Sequence, residues 1–318
     1  MREIKNTKVA VIGGAGFLGS HLVKHLVEDR NCEVVVLDNL IAGQKKFIHP
    51  KAKFVWCDIS HSESELRRIF QTYKIEYVFN YAAEPYIPVS FARPMHVFDL
   101  NARGALMVLN AAQDAGVRGI LQVSSAEIYG DAPNHKIDET WPAVPHSTYG
   151  ASKLAIDTLI QARWKEAKTP AIALRQFNCV GENETHPYVI PEIVKQIDHP
   201  NFNGTIKLGN NSFRDFQYAG DAVRMATELL EKGNFGEVYN MGSENGVKIY
   251  DLAELIGKLM GKEVYVTEDP SRVRPWEIWH LQSDNTKLYS TISYRPQVSL
   301  EESLRRVIAD YQQNGFAF

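Results

Sequence analysis

Cysteine is scarce: the 318 residues contain 3, at Cys32, Cys57 and Cys179, an odd and scattered set that argues against a disulfide framework or a cysteine-built zinc site. Charge of one sign is also lacking, because 35 Lys and Arg nearly balance 38 Asp and Glu. The resulting net charge of -3, spread along the chain, gives no footprint for nucleic acid or for a membrane surface. Long hydrophobic runs are missing too. The first apolar run, inside "KVAVIGG", is far too short for a signal peptide or a membrane span. No low-complexity linker and no internal repeat is visible. The histidines suggest no ligand set, so no metal is expected. These absences together predict a cytoplasmic protein that buries its own core.

Short β-branched runs alternate with amphipathic stretches in the first half. Strands are expected at 8–14, 33–38, 53–58, 77–83, 119–125 and 171–177, with "GSHLVKHLVED" and "SESELRRIFQTY" as helices between them. That alternation predicts an α/β fold, a doubly wound parallel sheet with right-handed crossovers. Ligands bind beyond the carboxyl ends of such strands. After about Asn178 the rhythm breaks into Gly-, Asn-, Pro- and His-rich loops, two helical segments and the strand-like "EVYNMGS". The tail "SLEESLRRVIADYQQNG" reads as an amphipathic helix capped by Ser299 or Ser303.

"GGAGFLGSH" follows the first strand and opens the first helix, the context that a dinucleotide fingerprint requires. Gly13, Gly16 and Gly19 would let backbone N–H groups approach a pyrophosphate at the helix N-terminus. Asp38 ends the second strand about 20 residues further on, where a carboxylate can bind a ribose 2′-hydroxyl and repel a 2′-phosphate. The cofactor is therefore expected to be NAD. Asp58, after the third strand, could reach the adenine amino group while Ile59 packs on the ring; a turn or helix-capping Asp would look the same. The resulting division is a Rossmann-like NAD-binding domain at 1–178, joined by parts of 216–240, and a smaller C-terminal α/β substrate lobe at 179–318.

Tyr149 and Lys153 stand at i and i+4 near the start of a helical segment, which puts both side chains on one face. A free tyrosine, with a pKa of about 10, is a poor base at neutral pH. A nearby ammonium and a positive nicotinamide ring would both favour the phenolate. Ser125, ending the preceding strand, can hydrogen-bond the same substrate hydroxyl.

The fingerprint, Asp38, Asp58, "NYAA" at 80–83, Ser125 and the Tyr149/Lys153 pair resemble the extended short-chain dehydrogenase/reductase family. Within it, the chain resembles the NAD-dependent nucleotide-sugar epimerases and dehydratases, nearly end to end. The resemblance adds Phe17, Leu18, Asn39, Ala82 and Ala83 to the cofactor set, with Tyr149 and Lys153 also touching NAD. In "RQFNCVG" it implies that Asn178 binds the nucleotide-sugar. In "FRDFQYAGD" it implies Arg214 near the nucleotide, and in "RVRPWEI" it implies Arg274 on the diphosphate. Glu84, Tyr86, Ser90 and Val189 complete the implied substrate set. A nucleoside-diphosphate sugar is thus the expected partner, and a homodimer the expected assembly. Asn80, Glu84, Val180 and Trp276 depart from residues frequent in the family and leave the sugar and the nucleotide open.

Glu127 in "SSAEIYG" matches the position where 4,6-dehydratases carry a glutamate that acts on C5 of a 4-keto sugar. Ala126 matches 4-epimerases instead, since glucose dehydratases carry an Asp there. The resemblance therefore implies a 4,6-dehydratase first, with a 4-epimerase, 4-oxidation or decarboxylation as alternatives. A catalytically silent NAD-sensing scaffold would be expected to lack Tyr149 or Lys153, and both are present.

Overall fold

The computed structural model describes residues 2–130, 134–273 and 276–318. Its strands are β1 Lys8–Ile12, β2 Glu33–Asp38, β3 Lys53–Trp56, β4 Tyr77–Asn80, β5 Gly119–Ser125, β6 Ala171–Gln176, β7 Asn178–Val180, β8 Thr205–Leu208, β9 Phe213–Tyr218, β10 Val238–Met241, β11 Gly246–Lys248, β12 Tyr265–Glu268 and β13 His280–Leu281. The longer helices are α1 Phe17–Glu28, α2 Glu63–Tyr73, α3 Gly104–Asp114, α4 Thr148–Ala167, α5 Val189–Asp198, α6 Ala219–Lys232, α7 Ile249–Leu259 and α8 Leu300–Asn314.

Seven strands form one parallel sheet in the order β10-β6-β5-β4-β1-β2-β3. Both faces of its central strands are covered, which is why these are largely apolar rather than alternating. Val9 and Val11 pack towards α1 and α6 on one side. Ala10 and Ile12 pack towards α2, α3 and α4 on the other. The fold is the expected Rossmann-like sheet with flanking helices and a smaller C-terminal α/β lobe. In that lobe β9 lies between β11 and β13 and also pairs with β7, while β8 pairs with β12. Helices α5, α7 and α8 close its core through Ile193, Ile256 and Val307. The chain then returns to the first half, because α6 packs beside α1 and β10 forms the edge of the large sheet.

Strand order reverses between β1 and β4, the switch point where such sheets open a crevice. Both strands stop earlier than their apolar runs suggest. β1 ends at Ile12 because Gly13 turns the chain at φ 76°, and β4 ends at Asn80. β3 likewise ends at Trp56, so Asp58 and Ala82 sit on loops rather than on strand ends. A helical stretch runs from Pro94 to Asp114. A π-helical turn, Asp99–Arg103, interrupts it before α3 begins at Gly104. Among the described residues, no helix is long and apolar enough to cross a membrane.

Candidate active site

A cavity of about 800 Å3 runs along the crevice between the sheet and the lobe. One end is the turn after β1. A Cβ at Gly19 would lie 2.0 Å from the Gly13 carbonyl oxygen, and one at Gly13 would lie 2.7 Å from the Ala82 nitrogen. Both positions need glycine on packing grounds alone, and Gly13 also on its φ. Gly16 is the N-cap of α1, with no side-chain cap and no acidic residue in the first turn. Unsatisfied N–H groups there form a ready anion site. Asp38 lines the same end, accepting from the Ala15 N–H at 3.0 Å and the Leu40 N–H at 2.8 Å. Burial pushes its carboxyl above the usual range, against those two bonds. A carboxylate has about four acceptor positions, so two bonds leave room for a ligand hydroxyl.

Phe17, Leu18, Asn39, Ile59, Ala82 and Ala83 also line the cavity. Asp58 is not among the lining residues. Its carboxylate accepts from the Asn39 amide at 2.9 Å and from the Ser60 hydroxyl and N–H, which organises the loop that presents Ile59. Burial raises its proton affinity, but these bonds outweigh it and hold the carboxyl below its usual value.

Ser125, Glu127, Tyr149 and Lys153 come together in the cavity wall. α4 is capped by Ser147, whose hydroxyl accepts from the Gly150 N–H at 3.0 Å. A Cβ on Gly150 would meet the Glu127 carbonyl oxygen at 2.8 Å, so the Glu127 turn rests directly on the first turn of α4. The Lys153 ammonium donates to the Val123 carbonyl at 3.0 Å and lies 5.8 Å from the centre of the Tyr149 ring. Burial pushes its pKa down to about 8, against the pull of Asp157.

The acidified phenol expected from the sequence is not found in the protein alone. Burial pushes the Tyr149 phenol up, a hydrogen bond with Ser125 opposes this, and the Glu127 and Glu84 carboxylates add to the rise. The lysine is held by a strand carbonyl on one side, and desolvation of the ring outweighs what it offers.

The substrate set divides. Glu84, Tyr86, Asn178, Val189 and Arg214 line the cavity. The Asn178 amide oxygen is buried with no hydrogen-bond partner in the protein, as a ligand-binding group would be. Ser90 is not brought to the cavity; it is buried and donates to the Ile87 carbonyl at 2.7 Å. Arg214 is already engaged, donating to Glu277 at 3.1 Å and to the Phe213 carbonyl at 3.0 Å. Arg274 lies outside the described residues. Its neighbour Arg272 pairs with Glu192 at 2.7 Å.

Several participants escape sequence reasoning. The Gln176 amide oxygen is buried, lines the cavity and has no partner. Glu184 also lines it, and burial pushes that carboxyl up to about 8. Asn101, in the π-helical turn, accepts from the Glu84 N–H at 2.8 Å and donates to the Ser152 hydroxyl of α4 at 3.1 Å. Beneath the site, Arg175 donates to Asp157 at 2.7 Å and to the Tyr129 hydroxyl at 2.8 Å, and Tyr129 donates to Asn240 at 2.6 Å. A polar residue in an apolar strand was the available signal for Arg175, Gln176 and Asn240. His21 and His25 have i, i+4 spacing, a pattern that can mark a ligand pair, yet they turn to different partners. His21 meets the Glu182 carbonyl at 3.0 Å and His25 meets Asp29 at 2.8 Å. No cluster able to hold a metal occurs among the described residues.

A glycine cradle at a switch point and a Ser-Tyr-Lys group in one cavity define a dinucleotide-dependent enzyme class. The family model described as GDP-mannose 4,6 dehydratase matches residues 10–307. The chain belongs to the NAD-dependent nucleotide-sugar epimerases and dehydratases of the extended short-chain dehydrogenase/reductase family. It is 30% identical to a mouse dTDP-D-glucose 4,6-dehydratase over 96% of this chain and 89% of the relative. It is 32% identical to a UDP-glucose 4-epimerase of Lactobacillus helveticus over 95% of each chain. The crystal structure of a Thermus thermophilus UDP-glucose 4-epimerase in complex with NAD superposes with a TM-score of 0.87, at 26% identity, covering 96% of this chain and 99% of that one.

Proposed function

We propose that the protein is an NAD-dependent 4-epimerase of nucleoside-diphosphate hexoses. The observation that carries this reading is the make-up of the catalytic wall. Ser125, Tyr149 and Lys153 supply a 4-hydroxyl oxidation site, and the residue beside Ser125 is the buried, acid-free Ala126. Epimerisation needs nothing further, since the 4-ketone turns over and is reduced on its other face. Among the most similar proteins, slightly more are named epimerases than dehydratases. That balance reverses the preference drawn from Glu127.

The cradle fits the cofactor. Gly13, Gly16, Gly19 and the α1 N-terminus would hold the pyrophosphate, Asp38 the adenosine ribose, and Ile59 one face of the adenine. NAD, when bound, supplies the hydride acceptor for sugar C4 and the positive ring that the high phenol pKa demands. The Tyr149 phenolate, stabilised by Lys153, would then take the proton of the C4 hydroxyl and become the neutral phenol. Ser125, already hydrogen-bonded to Tyr149, keeps the hydroxyl oriented. Asn178 offers its unpartnered oxygen to the sugar or its diphosphate.

Glu127 supports a second reading, 4,6-dehydration. Its carboxylate is close enough to Tyr149 to raise the proton affinity of the phenol, and it could take the C5 proton of a 4-ketone. Mass spectrometry after incubation with a panel of nucleoside-diphosphate hexoses separates the two. An isobaric product is expected, and loss of one water would establish the dehydratase instead. Glu127→Gln should leave epimerisation within about threefold of wild type but abolish any water loss.

A further inference from the structure

The acidic residues of the cavity are distributed unevenly. Three cationic side chains line it among the described residues, and each is engaged. Lys153 is held at the Val123 carbonyl, Arg214 at Glu277 and Arg272 at Glu192. Glu84 is different. Asn101 fixes its backbone from both sides, accepting from its N–H at 2.8 Å and donating to its carbonyl at 3.3 Å. Its carboxylate accepts from the Tyr86 N–H at 3.1 Å, and the nearest ion-pair partner among the described residues is His186, at 4.0 Å. Burial lowers the proton affinity of that imidazole, so the pair does little to compensate the Glu84 charge. The reach of Glu84 extends to Tyr149, as its effect on the phenol records.

We propose that Glu84 is a specificity determinant that admits sugars neutral at C5 and C6 and rejects uronic acids. This rests on the nucleotide-sugar reading above. On this proposal, a sugar whose C4 hydroxyl reaches Tyr149 sets its C6 substituent against the part of the cavity lining that carries Glu84 and Glu127. A hydroxymethyl group can donate a hydrogen bond to a carboxylate. A C6 carboxylate can only repel one, with no unengaged cation among the described lining residues to pair it, and discrimination by an unpaired like charge is strong in a partly desolvated site. Glu84 thus excludes decarboxylation and uronate epimerisation through its charge, not its size.

The test uses matched pairs on one nucleotide: UDP-glucose with UDP-glucuronate, and dTDP-glucose with dTDP-glucuronate. The wild-type enzyme is expected to prefer the neutral member by about a hundredfold or more in kcat/KM. Glu84→Gln, which keeps an acceptor for the Tyr86 N–H, should raise kcat/KM for the uronate about tenfold, mainly through KM, and so narrow the preference for the neutral member of each pair about tenfold. Unchanged NAD affinity in the variant would confirm that its site is intact. Equal turnover of both members by wild type, or an unchanged preference in a variant that still binds NAD, overturns the proposal. Failure of every neutral sugar to react overturns the nucleotide-sugar reading itself, a distinct result.

Discussion

The turn after β1 and the cavity wall around Arg214 both line one cavity, yet they are built on opposite principles. The turn works through backbone. Its glycines are demanded by contacts as short as 2.0 Å, and what it offers a ligand is N–H groups at a helix end. The lobe wall works through side chains whose partners come from distant sequence, such as Arg214 with Glu277 and Arg272 with Glu192. Backbone requirements leave a local signature in sequence, whereas long-range pairing does not.

That contrast can be broken or sharpened by substitution. The largest effect is expected between the two regions, where the chemistry lies. Tyr149→Phe should lower kcat by about a thousandfold or more while NAD still binds, measured by steady-state turnover and calorimetric titration. Retention of more than a tenth of the activity would remove the phenol from the reaction. In the lobe, Arg214→Met leaves the Glu277 carboxylate buried without its cation and should destabilise the fold by about 3–5 kcal/mol in urea unfolding. Replacing both residues by apolar ones should recover most of that loss. If Arg214→Met unfolds like wild type but loses nucleotide-sugar affinity, then the arginine serves ligand rather than lobe. At the turn, Gly19→Ala forces a Cβ against the Gly13 carbonyl and should weaken NAD binding by about a hundredfold. Normal affinity in that variant would mean the cradle is not where the pyrophosphate rests.

Much of the first half was readable for that reason. Parallel strands buried on both faces show as apolar runs, and Asp38 sits where the fingerprint spacing puts it. Strand ends were overshot at Gly13 and Asn80 because apolar residues continue into loops that line the cavity. The π-helical turn at Asp99–Arg103 was invisible, since nothing in "DLNAR" distinguishes it from an ordinary helix. Tyr149, Lys153 and Ser125 were found through their spacing, but not the burial that raises the phenol's proton affinity in the protein alone. Spacing gives proximity, whereas burial and the direction of the lysine decide the proton affinity. Ser90 and Asp58 turned inward to their own loops, an orientation that depends on hydrogen bonds no motif encodes.

The hydrogen-bond chain from Asp157 through Arg175 and Tyr129 ends on Asn240, in the edge strand of the large sheet. The proposed reactive residues Ser125, Tyr149 and Lys153 all precede position 154, yet the platform beneath them includes Asn240, a residue made much later. During synthesis, a nascent chain holding only the first six strands carries the full reactive set without its final clasp. A fragment ending before Val238 would lack β10, leaving the β6 edge of the large sheet open and the Tyr129 hydroxyl with its Arg175 donor but without its Asn240 acceptor.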